Sequence, residues 1–222
     1  MGNLEFAGLA CPQDIVVFGA PGSTYDDEGR LQISPDGVAR ADLAADYWWA
    51  NSAESVEPIP VTCVAGRPAK RQGMQATVGQ AEAYVIGRLL TDRGVPEELV
   101  RPNKAHPLGR DYATSTVDEV GILVENGLTP VDKYTPDSPL ALVIHRRHGR
   151  RAVDIWRKIG FDSRQLQVIS PKNPDPKLEI ALRLGYRACV LGTGAMVSPD
   201  VLRRREERFY RMAGFVTRVL PV

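Results

Sequence analysis

Residues 140–159, LALVIHRRHGRRAVDIWRKI, hold a complete strand–turn–helix unit. Leu140 to Ile144 is an unbroken apolar run of strand length, the pattern of a strand covered on both faces. After a charged turn, Ala152, Ile155, Trp156 and Ile159 recur at helical spacing. A strand with no polar face needs helices on both sides of its sheet, and helical crossovers between parallel strands supply them.

The same alternation runs outward in both directions. Upstream, Asp14 to Gly19 (DIVVFG) and Pro58 to Gly66 (PIPVTCVAG) are apolar runs that stop at glycine, and the spacing predicts a strand at each. Between them a polar loop passes through Asp26, Asp27, Glu28 and Gly29. Ser34-Pro35 then offers an N-cap and a first-turn proline to a helix carrying Val38, Ala41, Ala45, Trp48 and Trp49 on one face. Helices are expected over 76–93 and 115–126, with a short strand over 97–101. Downstream, a strand is expected at 165–170, helices at 176–185 and 198–212, and a short strand at 188–191. Strands alternating with helices of this length imply a Rossmann-like three-layer α/β/α domain with a mainly parallel sheet. No linker or repeat divides the chain, so one domain is expected over 1–222.

Lys plus Arg is 28 against 27 Asp plus Glu, a balance that gives no general attraction to nucleic acid or to an anionic membrane. No apolar run approaches the ~20 residues of a membrane span. Cys11, Cys63 and Cys189 are odd in number and far apart, so neither a disulfide framework nor a metal site is expected. A reducing cytoplasm is the expected setting.

In open parallel sheets ligands bind outside the carboxyl ends of the strands, and three segments there carry chemistry. Gly19-Ala20-Pro21-Gly22-Ser23 is a turn whose glycines Gly19 and Gly22 let backbone N–H groups approach a ligand, though it matches neither dinucleotide fingerprint nor P-loop. Gly66-Arg67, followed by Lys70 and Arg71, suits an anion or is a solvated basic loop. In the helix after it Val78, Val85 and Leu89 define an apolar stripe, and Glu82 falls inside that stripe, about 40° from Val78 at about 100° per residue. A carboxylate there either pairs with an internal arginine or faces a ligand as acid, base or acceptor.

The third segment is the charged turn between the apolar run at 140–144 and the helix after it. His145, Arg146, Arg147, His148, Arg150 and Arg151 crowd the start of a helix, where the dipole favours negative charge. A bound anion would relieve that conflict. His148 shares a face with Ala152, Ile155 and Ile159, so it points inward. Arg40, early in its own helix, either joins the anion site or pairs with Asp36 or Asp42. Ser115 with Asp118, or Thr116 with Glu119, has capping-box spacing. The run from Arg203 to Arg208 is expected to be a solvated, salt-bridged face. His106 has no assigned role.

Taken in order, these positions resemble the DUF218 family. Its glycine-ended first strand and Arg-x-x-x-Ala helix are matched by DIVVFGAPG and by Arg40 to Ala44. Its Ser-Gly-Gly strand end, Glu-Ala pair and Gly-Val-Pro turn are matched by Ala65-Gly66-Arg67, Glu82-Ala83 and Gly94-Val95-Pro96. Its Ser-x-Asn-Thr-x-Glu-Asn segment resembles Ala113 to Glu119, and its strand end followed by His and Arg-Ala resembles Ile144-His145, His148 and Arg151-Ala152. Arg67 replaces a glycine, Ile144-His145 replaces Thr-Ser, and Asp118 stands in the glutamate's place. The family-like core would run from about 14 to 170, leaving 171–222 as a strand–helix extension.

The resemblance implies a Rossmann-like fold and a soluble member. Some members are described as binding S-adenosylmethionine, and others as membrane-anchored and linked to envelope polymers. With the residue chemistry it leads to one expectation and one alternative. The first is an enzyme of transfer or hydrolysis on a nucleotide-like or phosphorylated ligand. Its catalytic candidates are Glu82, His148 and Asp118. Gly19, Ala20, Gly22, Arg40, Gly66, Arg67, Thr116, His145, Arg146 and Arg151 would bind the ligand, and no metal ligands are expected. The alternative is a non-catalytic protein that binds S-adenosylmethionine or a nucleotide.

Overall fold

The computed structural model describes residues 6, 8–19, 23–28, 30–64, 82–102, 116–171, 190–191, 197–206 and 208–209. Five parallel strands form the sheet: β1 (Asp14–Phe18), β4 (Val61–Val64), β5 (Val100–Pro102), β6 (Leu140–Val143) and β7 (Leu166–Ile169), in the order β5-β4-β1-β6-β7. Ile15 is in register with Val61 on one side and Ala141 on the other. β1, β4 and β6 are buried at every position. Their lack of polar alternation therefore reports burial on both faces.

The helices α1 (Pro35–Ser52), α2 (Glu82–Asp92), α3 (Thr116–Glu125) and α4 (Arg146–Lys158) divide between the two faces. Ile15 and Val17 pack with Ala41, Ala44, Trp48, Ala83, Ile86 and Leu90 of α1 and α2. Val16 and Phe18, pointing the other way, pack with Val117, Val120, Leu123, Ala152, Ile155 and Trp156 of α3 and α4. The architecture is the Rossmann-like three-layer α/β/α arrangement. Ser34 caps α1 as expected, its Oγ accepting from the Gly37 N–H at 3.1 Å.

Several elements differ from the pattern-based expectation. The polar loop after β1 is flanked by two-residue strands, β2 (Thr24–Tyr25) and β3 (Leu31–Gln32), which pair antiparallel. Both are too short to carry a periodic signal. Glu97–Leu99 forms a 3₁₀ turn, and the edge strand begins only at Val100. Val190 and Leu191 are in wide helical backbone rather than strand. Both are buried, so an apolar pair alone could not distinguish the two states. Trp48 is in the core with its Nε1 donating to Ile59 O at 2.9 Å. Trp49 is 54% exposed and lies against Gly94, donating to Arg93 O. Gly94 has φ +86°, and a Cβ there would stand 3.1 Å from the Trp49 ring.

On α2 the buried face is Glu82, Ala83, Ile86 and Leu90, with Val85 and Leu89 only half-buried. The stripe is turned from the expected one, yet it still contains Glu82. The expected helix over 176–185, the first turns of 76–81, and Cys189 lie outside the described residues. Among the described residues no helix is long and apolar enough to cross a membrane.

Candidate functional site

From β1 the chain moves outward through β4 to β5, then returns to lay β6 on the other side of β1. The strand order therefore reverses between β1 and β6, and in open sheets the ligand crevice lies outside the carboxyl ends at such a reversal. Each helix that follows a parallel strand starts at that end of the sheet. Glu82 and Thr116 are the first described residues of α2 and α3, and α4 begins at Arg146, three residues after the Val143 end of β6. The topology thus brings together side chains that are far apart in sequence.

Arg40 reaches the end of β1 from α1. Its Nη1 donates to Phe18 O at 3.2 Å and to Gly19 O, and its Nη2 donates to Asp36 at 2.7 Å. It is 1% exposed. Of the two pairing options the sequence left, Asp36 is realised, and Asp42 pairs with Arg93 instead. Arg40 therefore holds the strand end and spends most of its donors on the protein, although its buried Nε has no partner.

Glu82, 2% exposed, accepts from Ser23 Oγ at 2.9 Å. A Cβ on Gly37 would stand 3.5 Å from Glu82 Oε1, so the carboxylate lies against the first turn of α1. Backbone N–H groups in a first turn favour negative charge.

On α3 and α4, Thr116, His148 and Arg151 form a triangle. Thr116 Oγ1 is 2.6 Å from His148 Nε2, Arg151 Nη2 donates to Thr116 Oγ1 at 2.5 Å, and the same Nη2 is 2.7 Å from His148 Nε2. A guanidinium can only donate, so Nε2 must be the acceptor and the ring is neutral. Burial, and then the positive charges of Arg151 and Arg40, hold the His148 pKa well below its usual value. Gly149 lets this turn of α4 lie close on β7: a Cβ there would stand 2.7 Å from Val168 Cγ1, so one of the two would have to shift. Thr116 does not cap α3 with Glu119, because its hydroxyl is turned to His148 and Arg151.

One turn along α3 from Thr116 lies Glu119, 3% exposed. Burial, followed by the charge of Glu82, raises its pKa well above the usual carboxylate range, against the pull of Arg151 and Arg40. No hydrogen bond or ion pair joins its carboxyl to another described residue.

The expected site residues thus separate. Gly19, Arg40, Glu82, Thr116, His148 and Arg151 converge on one end of the sheet. Asp118 is buried there but turns to Arg203, whose Nε donates to it at 2.6 Å. His145 is the half-buried N-cap of α4 and Arg146 is exposed on its first turn. Ala20, Gly22, Gly66, Arg67, Lys70, Arg71, Ser115 and His106 lie outside the described residues. The 203–208 run is not a uniformly solvated face: Arg203 is 6% and Glu206 1% exposed, while Arg204 and Arg208 face solvent. Arg203 also reaches Asp200 at 2.7 Å and Glu125 at 3.7 Å, and this network seats the helix of residues 199–206 on α3.

Ser23, Glu119, Arg203 and Glu206 were not singled out as site residues from the sequence. For Glu119 the signal was faint: in TVDEVGILVE it stands between Val117 and Val120 but directly follows Asp118. Among the described residues no group of three or more His, Cys, Asp or Glu is arranged to hold a metal ion. A groove of about 440 Å³ lies at the opposite end of the sheet, beside Cys11, Gln13, Glu57 and Ser138. It shares no residue with this cluster. No family model matches the chain, and neither a curated protein nor a solved structure matches it.

Proposed function

We propose that the chain is an enzyme of transfer or hydrolysis acting on a nucleotide-like or phosphorylated small molecule held outside the carboxyl ends of β1 and β6. One observation carries this: a neutral histidine whose Nε2, accepting from Arg151, also lies 2.6 Å from the Thr116 hydroxyl, with buried carboxyls on α2 and α3. Base and hydroxyl at that distance, with a third group fixing the ring, is an arrangement that moves protons. Glu119, three residues from Thr116 on α3, adds a second buried carboxyl to Glu82.

In this reading His148 accepts a proton by way of Thr116, Arg151 orients both, and Arg40 shapes the mouth of the crevice by holding the Gly19 carbonyl. S-adenosylmethionine, which the family resemblance brings in, has a carboxylate suited to Arg151 and cationic groups suited to Glu82. It therefore belongs with nucleotides and sugar phosphates in a thermal-shift screen. Once a stabilising ligand is found, Glu82→Gln separates the enzyme from a mere binder. Turnover should fall by about 10²–10⁴-fold, the usual worth of such a group, with ligand affinity nearly intact. Unchanged turnover, or lost affinity alone, would remove the catalytic assignment.

A further inference from the structure

The contacts that hold the His148 ring all go to Nε2. The Arg151 guanidinium donates to it at 2.7 Å, and Thr116 Oγ1 lies 2.6 Å away. A guanidinium has no acceptor, so Nε2 carries a lone pair and the proton of the neutral ring is on Nδ1. The single Nη2 contact is enough to fix this tautomer, whatever else Arg151 meets. Half a turn of the ring would set a carbon against the guanidinium and lose both contacts.

None of the described residues accepts a hydrogen bond from Nδ1. Yet His148 is only half-buried, and Nδ1 is not among the enclosed polar atoms that lack a partner. The N–H is therefore reachable from outside the protein. Trp156 Nε1, further along α4, is the opposite case, enclosed and unpaired. Thus α3 and α4 clamp one edge of the imidazole and leave the other edge open. The first turn of α4 stands at the carboxyl end of β6, where open parallel sheets bind their ligands.

We propose that His148 meets the ligand directly, donating from Nδ1–H to an oxygen of its phosphoryl group. This rests on the function proposed above, which supplies the phosphoryl group. An N–H matches an acceptor, and an anionic oxygen gives the stronger, charge-assisted form of that bond. Burial first, then the charges of Arg151, Arg40 and His145, favour the neutral ring, so the resting donor is an uncharged imidazole. If Nε2 takes the Thr116 proton during turnover, Nδ1 keeps its hydrogen and donates more strongly. The two nitrogens thus have separate tasks: Nε2 fixes the tautomer and Nδ1 reads the ligand.

The test uses the full chain labelled with ¹⁵N-histidine. Long-range proton–nitrogen spectra resolve its three histidines, and His148→Asn assigns the signal. At neutral pH His148 should be a neutral ring protonated at Nδ1. A ring protonated at Nε2, or an imidazolium, would overturn the proposal. AMP, ribose 5-phosphate and inorganic phosphate are then added in turn. Each should move the Nδ1 resonance and leave the tautomer unchanged. A response to AMP alone would place base or sugar at Nδ1 and overturn the phosphoryl assignment.

Two variants separate the nitrogens, because the Asn amide falls near the place of Nδ1 and the Gln amide near that of Nε2. By calorimetry with AMP, His148→Gln should lose about 10–10²-fold in affinity, the worth of a hydrogen bond to a charged group. His148→Asn should lose much less, and equal losses would overturn the donor role. If AMP stabilises the chain while Nδ1 does not move, the donor role falls and the function proposed above stands. If none of the three phosphates binds, both fall. The spectra of the wild type decide the matter even where a variant fails to fold.

Discussion

At the amino end of β1, Asp14 is 2% exposed and accepts from Lys133 Nζ at 2.5 Å and from the Tyr134 hydroxyl at 2.7 Å. At the carboxyl end, Glu119 is 3% exposed and accepts from none of the described residues. Both carboxyls border the same sheet, so burial alone does not separate them. The amino-end group is closed: its cation and its donor are both in place, and burial beside Asp14 pushes the Tyr134 phenol further from ionisation. The carboxyl-end group has no such cation and donor among the described residues, and it lies at the end of the sheet where open parallel sheets bind ligands. Saturated polar clusters hold a fold together, and incomplete ones have capacity left for a ligand.

The largest effect that tests this contrast is on stability. Asp14→Ala strands the Tyr134 hydroxyl and removes the partner of Lys133, whose side chain is one-third exposed. The expected loss is about 3 kcal/mol, the low end for breaking a buried pair, measured by chemical denaturation. Glu119→Gln should cost little or nothing. If the two variants lose stability equally, the closed–open distinction is broken.

A second effect appears in the pH dependence. Glu119 has a raised pKa in the folded chain, so its contribution is complete below its unfolded value of about 4.3. That contribution is lost as pH rises through the folded value. His148 has a lowered pKa, so its contribution is complete above about 6.5 and is lost on acidification. Relative to wild type, Glu119→Gln should gain melting temperature on the alkaline side, and His148→Gln on the acid side. Parallel curves for wild type and both variants would show that neither group is shifted.

The smallest effect concerns the thiols. Cys63 is fully buried in β4, and burial pushes its pKa up to about 12, whereas Cys11 is half-exposed beside the amino-end groove. Mass spectrometry after brief labelling of the native chain should find Cys11 modified and Cys63 intact. Labelling of Cys63 without unfolding would mean that the sheet opens where this structure closes it.

Much of this organisation could be read from the residues before any coordinates. The unbroken apolar runs at 14–18, 61–64 and 140–143 announced buried parallel strands, because burial on both faces removes every polar position. Glu82 and His148 stood out because each interrupts an apolar helical face. What escaped notice had an ordinary local explanation. Glu119 stands three residues from Thr116, a spacing that capping accounts for, and only the Thr116–His148–Arg151 triangle removes that account. Arg203 lies in a charge run, and its burial depends on Asp118, 85 residues earlier. Pair contacts between distant segments leave no periodic trace. The same is true of β2 and β3, two residues each.

The Asp118–Arg203 pair also bears on when the site can exist. α3 carries Thr116 and Glu119, and part of its seating comes from a helix whose Arg203 lies 85 residues further along the chain than Asp118. At translation rates of about 5–20 residues per second, α3 waits several seconds after leaving the ribosome before Arg203 can reach it. A nascent chain thus makes its five described parallel strands before Arg203 can clasp α3.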